Sequence, residues 1–250
     1  MFDGWDDGTS DHIVGLYANT PKGTFFLRHG ELDDATNQTG ANHAAWIQDS
    51  LLKYGKSLAN VAFLVSDNTN LCPSIANFLG KPLIGCASHK LNLAVKKYLK
   101  DNVEIRNVLD KIHNLMQFLK GCNPAGKLNL LTTKVAITRN NTRWLSIFQM
   151  VKRYMELSTH LTAAIWPDAV QLLLTPLEHQ TVTQMIPSLE HLREVTTVLQ
   201  GNDITLLDAR ILFDDLIGRH WYGISSWCGC ECCPHKKFRR WCSQAIAWCQ

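Results

Sequence analysis

The feature that most constrains the fold is a nearly all-apolar run at residues 60–66, Asn-Val-Ala-Phe-Leu-Val-Ser. It is followed at once by Asp67-Asn68-Thr69-Asn70. A short apolar run bounded by a polar turn reads as a strand covered on both faces. Such a strand needs helices above and below it, which points to a mixed α/β fold. The flanking segments agree. Residues 12–19 and 24–29 read as two strands joined by the turn Pro21-Lys22-Gly23, a hairpin. Ala44, Ile47, Leu51 and Leu52 recur at helical spacing. The polar turn at 67–70 can cap a helix over 72–79, and 82–87 reads as one more short strand.

From residue 91 to 220 the pattern is helical. Val108, Ile112, Leu115 and Leu119 form one stripe, and Gly121-Cys122-Asn123-Pro124-Ala125-Gly126 reads as the loop that ends it. Asn141 or Thr142 can cap a long helix with the stripe Trp144, Ile147, Val151, Tyr154, Leu157 and Leu161. Pro167, Pro176 and Pro187 punctuate the next stretch. Leu192, Val195 and Leu199 form a further stripe, and a last helix covers 206–217. The expected organisation is a partial α/β core over residues 1–100, a helical domain over 101–220 and a Cys- and Trp-rich tail over 221–250.

The chain has 250 residues, 46% of them hydrophobic and 19% charged, a globular composition. No apolar run reaches about 18 residues, so no membrane span or membrane partner is expected. The segment Met1-Phe2-Asp3-Gly4-Trp5-Asp6-Asp7 has neither the basic nor the apolar stretch of a signal peptide. Only three of the nine cysteines precede residue 228, which is not the spread of a secreted disulfide scaffold. A reducing compartment is expected.

Charge is segregated along the chain. Residues 1–70 hold nine acids and four bases, and residues 86–153 hold thirteen bases and three acids, a net charge of +10. Residues 154–227 return to nine acids and three bases. The basic block fits either a solvated face or a surface that meets phosphates and releases their counterions.

Two carboxylates stand out. Asp67 lies just past the end of the apolar strand, where α/β sheets commonly place ligand groups. Asp3 lies before a tryptophan and the hairpin, near where a first strand would end. If those strands are neighbours, the carboxylates sit about 5 Å apart and suit hard divalent cations. A loop aspartate is also a common turn former.

Four segments in order resemble the hAT (hobo–Activator type) transposases. Phe2-Asp3-Gly4-Trp5 resembles the segment of the first catalytic aspartate, and Val65-Ser66-Asp67-Asn68-Thr69-Asn70 that of the second. The run from Gly85-Cys86-Ala87-Ser88-His89-Lys90 to Val95 resembles the Cys-x-x-His segment. Asn141-Thr142-Arg143-Trp144-Leu145-Ser146 resembles the Arg-Trp motif of the helical insertion. The resemblance runs from residue 2 to about 219. It implies an incomplete ribonuclease-H-like mixed sheet with a large all-helical insertion.

It also implies roles. Asp3 and Asp67 would be catalytic and metal-binding members of an Asp-Asp-Glu triad holding two Mg²⁺ ions. His89 would assist at the scissile phosphate. Its plainer reading is a histidine at a helix start, with Cys86 as a small apolar residue and no zinc site. Arg143 would contact phosphate, and Trp144 would stack on an unpaired base or pack in the core. Lys90, Lys96 and Lys97 lie in the basic block and would face DNA. The implied location is the nucleus, with DNA as partner.

Departures from the family shape the expectation of activity. The chain begins two residues before Asp3, so the strand leading into that aspartate is expected to be almost absent, leaving its neighbours unpaired. The third carboxylate and the dimerisation segment come after the insertion in the family. No glutamate stands for the former here, and an oligomer contact would fall to the helical domain. Residues 221–250 look foreign to the family, and Cys228-x-Cys230-x-Cys232-Cys233-x-His235 is spaced too tightly for a usual zinc site. The expected protein is a transposase fragment without catalysis, or a DNA-binding or protein-interaction module reused by its host.

Overall fold

The computed structural model describes residues 1–6, 12–32, 38–67, 69–140, 142–201 and 204–218. The chain divides into two compact units, the first reaching Lys90 and the second starting at Leu91. The fold is mixed α/β and mostly helical.

The first unit opens with three antiparallel strands, β1 (Phe2–Asp6), β2 (His12–Thr20) and β3 (Gly23–Glu31), in the order β1-β2-β3. The β2–β3 turn closes on Gly23, whose φ of +124° an L side chain rarely adopts. Helix α1 (Gly40–Leu52) comes next, capped by the Thr39 side chain, which accepts from the Asn42 N–H. A parallel pair then forms from β4 (Leu64–Ser66) and β5 (Leu83–Gly85), joined through α2 (Leu71–Leu79). Strand β1 lies beside β4. Alternate residues Val14 and Leu16 of β2 meet Trp46, Ile47, Ile75 and Leu79 of the two helices in one core. Burying each such aliphatic side chain stabilises the fold by roughly 1.5–3 kcal/mol.

Three expectations need correction here. The strand at Asp3 is present: Phe2–Asp6 pairs with β2 along its length, and Asp3 is its second residue, opposite Gly15. The residues after Asp3 continue the strand instead of turning away, so β2 is paired on both sides. Second, the apolar run 60–66 is strand only at Leu64–Ser66, because its partner β5 is three residues long. Phe63 is 44% exposed, so the run is not covered on both faces throughout. Third, among the described residues no ladder joins β1 to β4, and the strands form two sheets.

Helix α3 (Ala87–Asp101) carries the chain into the second unit. There α4 (Val103–Leu119) packs against α6 (Leu145–Leu157) and α7 (Pro176–Val198), and α6 packs against α7. The predicted stripe Val108, Ile112, Leu115 and Leu119 is buried, with Met116 beside it. From α6, Val151, Tyr154 and Leu157 are buried too, as is Val182 of α7. Helix α8 (Leu206–Leu216) adds Phe213 and Leu216 to the buried set. Polar ties cross the core: Lys111 Nζ meets Glu178 Oε2 at 2.8 Å, and Tyr154 Oη lies 2.9 Å from His179 Nδ1.

Two of the expected breaks are helix. Residues 122–131 form α5 (Cys122–Leu131), with Gly121 at its N-cap and Pro124 in the first turn. The first N–H groups of a helix have no partner within it, so proline loses nothing there. Pro187 lies inside α7. Met185 on one side and Leu189 and Leu192 on the other are buried, and this anchorage carries the helix past the missing hydrogen bond. Among the described residues no helix is long and apolar enough to cross a membrane.

Candidate nucleic-acid interface

The second unit contains a cavity of about 560 Å³ at the C-terminal half of α3, the start of α4 and the segment before α6. Lys96, Lys97, Lys100, Arg106, Arg139 and Arg143 line it, against two acids, Asp101 and Asp110. Its apolar floor is Leu99, Leu109, Trp144 and Ile147. Cationic side chains on an apolar, partly desolvated wall focus a positive field on whatever enters.

The residues before α6 are held by a compact hydrogen-bond set. Asn140 Oδ1 accepts from the Thr142 hydroxyl at 3.0 Å and the Arg143 N–H at 3.3 Å. The Ser146 hydroxyl accepts from the Asn140 N–H at 3.0 Å and lies 2.8 Å from the Arg143 carbonyl. From α3, Asn92 Oδ1 accepts from the Trp144 N–H at 3.0 Å. The helix therefore starts on Trp144 with no side-chain cap, where Asn141 or Thr142 was expected to provide one; Asn141 lies outside the described residues. The result is a fixed turn with Arg143 exposed and Trp144 turned inward.

Trp144 is 1% exposed and sits beside Phe148, with ring centroids 6.5 Å apart. Of its two readings, packing is the one that describes this structure; a buried ring offers no face for a base to stack on. Its indole N–H is buried without a hydrogen-bond partner among the described residues.

Two cavity cations are already engaged. Lys97 Nζ meets Asp101 Oδ2 at 2.5 Å, and Arg139 meets Asp110 Oδ1 at 2.6 Å. Arg106 donates to the Lys100 carbonyl at 3.4 Å. The Arg143 guanidinium has no ion pair among the described residues. His113 stands close to Arg139; burial and then the Arg139 charge lower its pKa, against the pull of Asp110.

Of the basic residues singled out in the sequence, Lys96, Lys97 and Arg143 come together in this cavity. Lys90 is half-buried and is not part of its lining. Lys100, Arg106 and Arg139 were part of the basic block, but nothing in the sequence marked them as neighbours of Arg143. Asn92 lies in the segment that resembles the Cys-x-x-His motif, but nothing in the sequence marked it as a partner of Trp144.

The carboxylates belong to the first unit. Asp3 is exposed on β1, and its Oδ1 accepts from the Gly4 N–H at 3.0 Å. Asp67 comes directly after β4, and its Oδ1 accepts from the Thr69 N–H at 3.3 Å, the Thr69 hydroxyl at 3.0 Å and the Cys72 thiol at 3.2 Å. Burial, more than the Asp67 carboxylate, pushes the Cys72 thiol up and keeps it a donor. Asp67 thus orders the turn into α2 whether or not it binds an ion. Both residues supply hard oxygen donors, the kind Mg²⁺ takes. Among the described residues no group of three or more His, Cys, Asp or Glu could hold a metal ion. His89 is half-buried in the first turn of α3. The Cys-rich run at 228–235 lies outside the described residues.

Fold and cavity together define a mixed α/β protein with a cationic cleft in a helical unit. No protein-family model matches the chain, and no curated protein matches it.

Proposed function

We propose that this chain is the core and helical insertion of a hAT-type DNA transposase, and that its working function is to bind DNA through the cleft of the helical unit. The observation that carries this reading is six basic side chains converging on one cavity, four positive charges in excess of its acids. Lysine and arginine gathered around phosphates gain affinity by releasing counterions, and this gain is salt-dependent. The element order supports the transposase part: an antiparallel meander, then a parallel pair whose first strand lies beside β1. This suits an incomplete ribonuclease-H-like sheet, with Asp3 on β1 and Asp67 after β4.

The ancestral chemistry is Mg²⁺-dependent strand cleavage and transfer. Asp3 and Asp67 would hold the metal, which when bound neutralises charge on a phosphodiester and activates water. His89 would stand at the scissile phosphate. Such ligands act as a unit, so catalysis would need every carboxylate of the triad in place. The cleft does not depend on those carboxylates, which favours a DNA-binding module without catalysis as this chain's present role. A nuclear location goes with the same reading.

The test is fluorescence anisotropy of labelled DNA with the full chain across about 50 to 200 mM salt. Binding should fall steeply with salt and weaken in Arg143→Ala and Lys100→Ala. Absence of binding at the low end, or binding indifferent to both substitutions, sinks the proposal. In a Mg²⁺-dependent nicking assay, the chain and Asp67→Ala should be equally inactive; cleavage lost on that substitution would restore the enzyme.

A further inference from the structure

The two aspartates in the cleft are out of place for a surface built only to attract phosphate. Asp101 is the last residue of α3, where the helix dipole disfavours a negative charge. Its partner Lys97 precedes it by four positions, the less favourable order for a helical ion pair. Both side chains are more than half exposed, so the pair adds little to stability. Asp110 is paired with Arg139 in the same cavity. In each case an acid sits on a cation that also lines the cleft.

We propose that Asp101 and Asp110 are internal counter-ions of the cleft, holding Lys97 and Arg139 until the phosphates of a DNA strand displace them. The inference rests on the DNA-binding reading and adds a regulation to it. Lys100, Arg106 and Arg143 form the standing part of the site. Lys97 and Arg139 are a latent part whose engagement requires breaking an ion pair. The aspartates also repel the incoming backbone, so they set an upper limit on affinity and speed release.

The experiment measures DNA binding of the full chain with Asp101→Asn, Asp110→Asn and a remote control, Glu194→Gln. Glu194 is exposed and lies outside the cavity, and its substitution removes the same charge. Each aspartate substitution should tighten binding by about threefold or more at a fixed salt concentration, because Lys97 or Arg139 no longer has an ion pair to break before it meets phosphate. Asp110→Asn could loosen the segment that Arg139 anchors, so Asp101→Asn, on an exposed pair, is the deciding variant. Unchanged or weaker binding by Asp101→Asn overturns the inference alone. So does an equal gain in the control, which would make the effect one of net charge. A chain that binds no DNA at low salt, with every variant equally silent, overturns the inference together with the reading beneath it.

Discussion

Replacing Trp144 with alanine empties a buried site next to Phe148. Truncations of this size cost about 3–5 kcal/mol. The denaturant midpoint of Trp144→Ala should therefore drop sharply, and any loss of DNA binding should track the loss of fold. Arg143→Ala should separate the two effects. Its side chain is exposed, so stability should stay within about 0.5 kcal/mol while the salt slope of binding shrinks by about one. Tyr154 gives a prediction on pH. Burial, helped by the Glu178 charge, pushes its hydroxyl up to about 12 from 10.0. Between those values the folded chain keeps a proton that the unfolded chain has lost. Folding stability should therefore fall as pH rises through that window. Tyr154→Phe should remove this part of the alkaline slope, read by chemical denaturation at a series of pH values.

At the scale of elements, α7 starts with a capping box. The Thr175 hydroxyl accepts from the Glu178 N–H, and the Glu178 carboxylate accepts from the Thr175 N–H. Thr175→Ala should cost about 1 kcal/mol, measured by thermal or urea unfolding. Helices α1 and α2 approach closely where Gly40 faces Ser74. A Cβ at residue 40 would stand 2.3 Å from Ser74 Oγ and 3.1 Å from its carbonyl carbon. Gly40→Ala should destabilise the first unit by about 1–3 kcal/mol. Ser74→Ala should not rescue it, because its Cβ and backbone still crowd the new methyl group. The amphipathic stripes of α4 and α6 were legible because a periodic apolar face has one way to be buried. The continuity of α7 was not, since Pro187 is a local signal and the packing of Met185 and Leu189 that overrides it is tertiary. The cleft was half legible. The sequence shows the excess of bases, but the pairing of Asp110 with Arg139 joins residues 29 apart, and Asn92 reaches Trp144 across 52. Contacts at such separations leave no periodic trace.

At the scale of the whole molecule, each compact unit has its own core, and one helix, α3, is continuous from one to the other. The first unit's core draws on Val14, Trp46, Ile47 and Ile75; in the second, Ile112, Leu115, Val151 and Val182 are buried. A cavity made in one core removes contacts from that core, and sites that share no partners perturb each other little. Ile75→Ala, at about 2–5 kcal/mol, should therefore speed amide hydrogen exchange in α1 and α2. Exchange in α4 and α6 should stay close to that of the unaltered chain. The DNA binding proposed for the helical cleft should be unchanged in the same variant, because no cavity-lining residue belongs to the first unit. Equal acceleration in all four helices would mean that the chain unfolds as one cooperative body. In that case the cleft would depend on the sheet for its integrity, and a DNA-binding role independent of the carboxylate-bearing unit would have no physical basis.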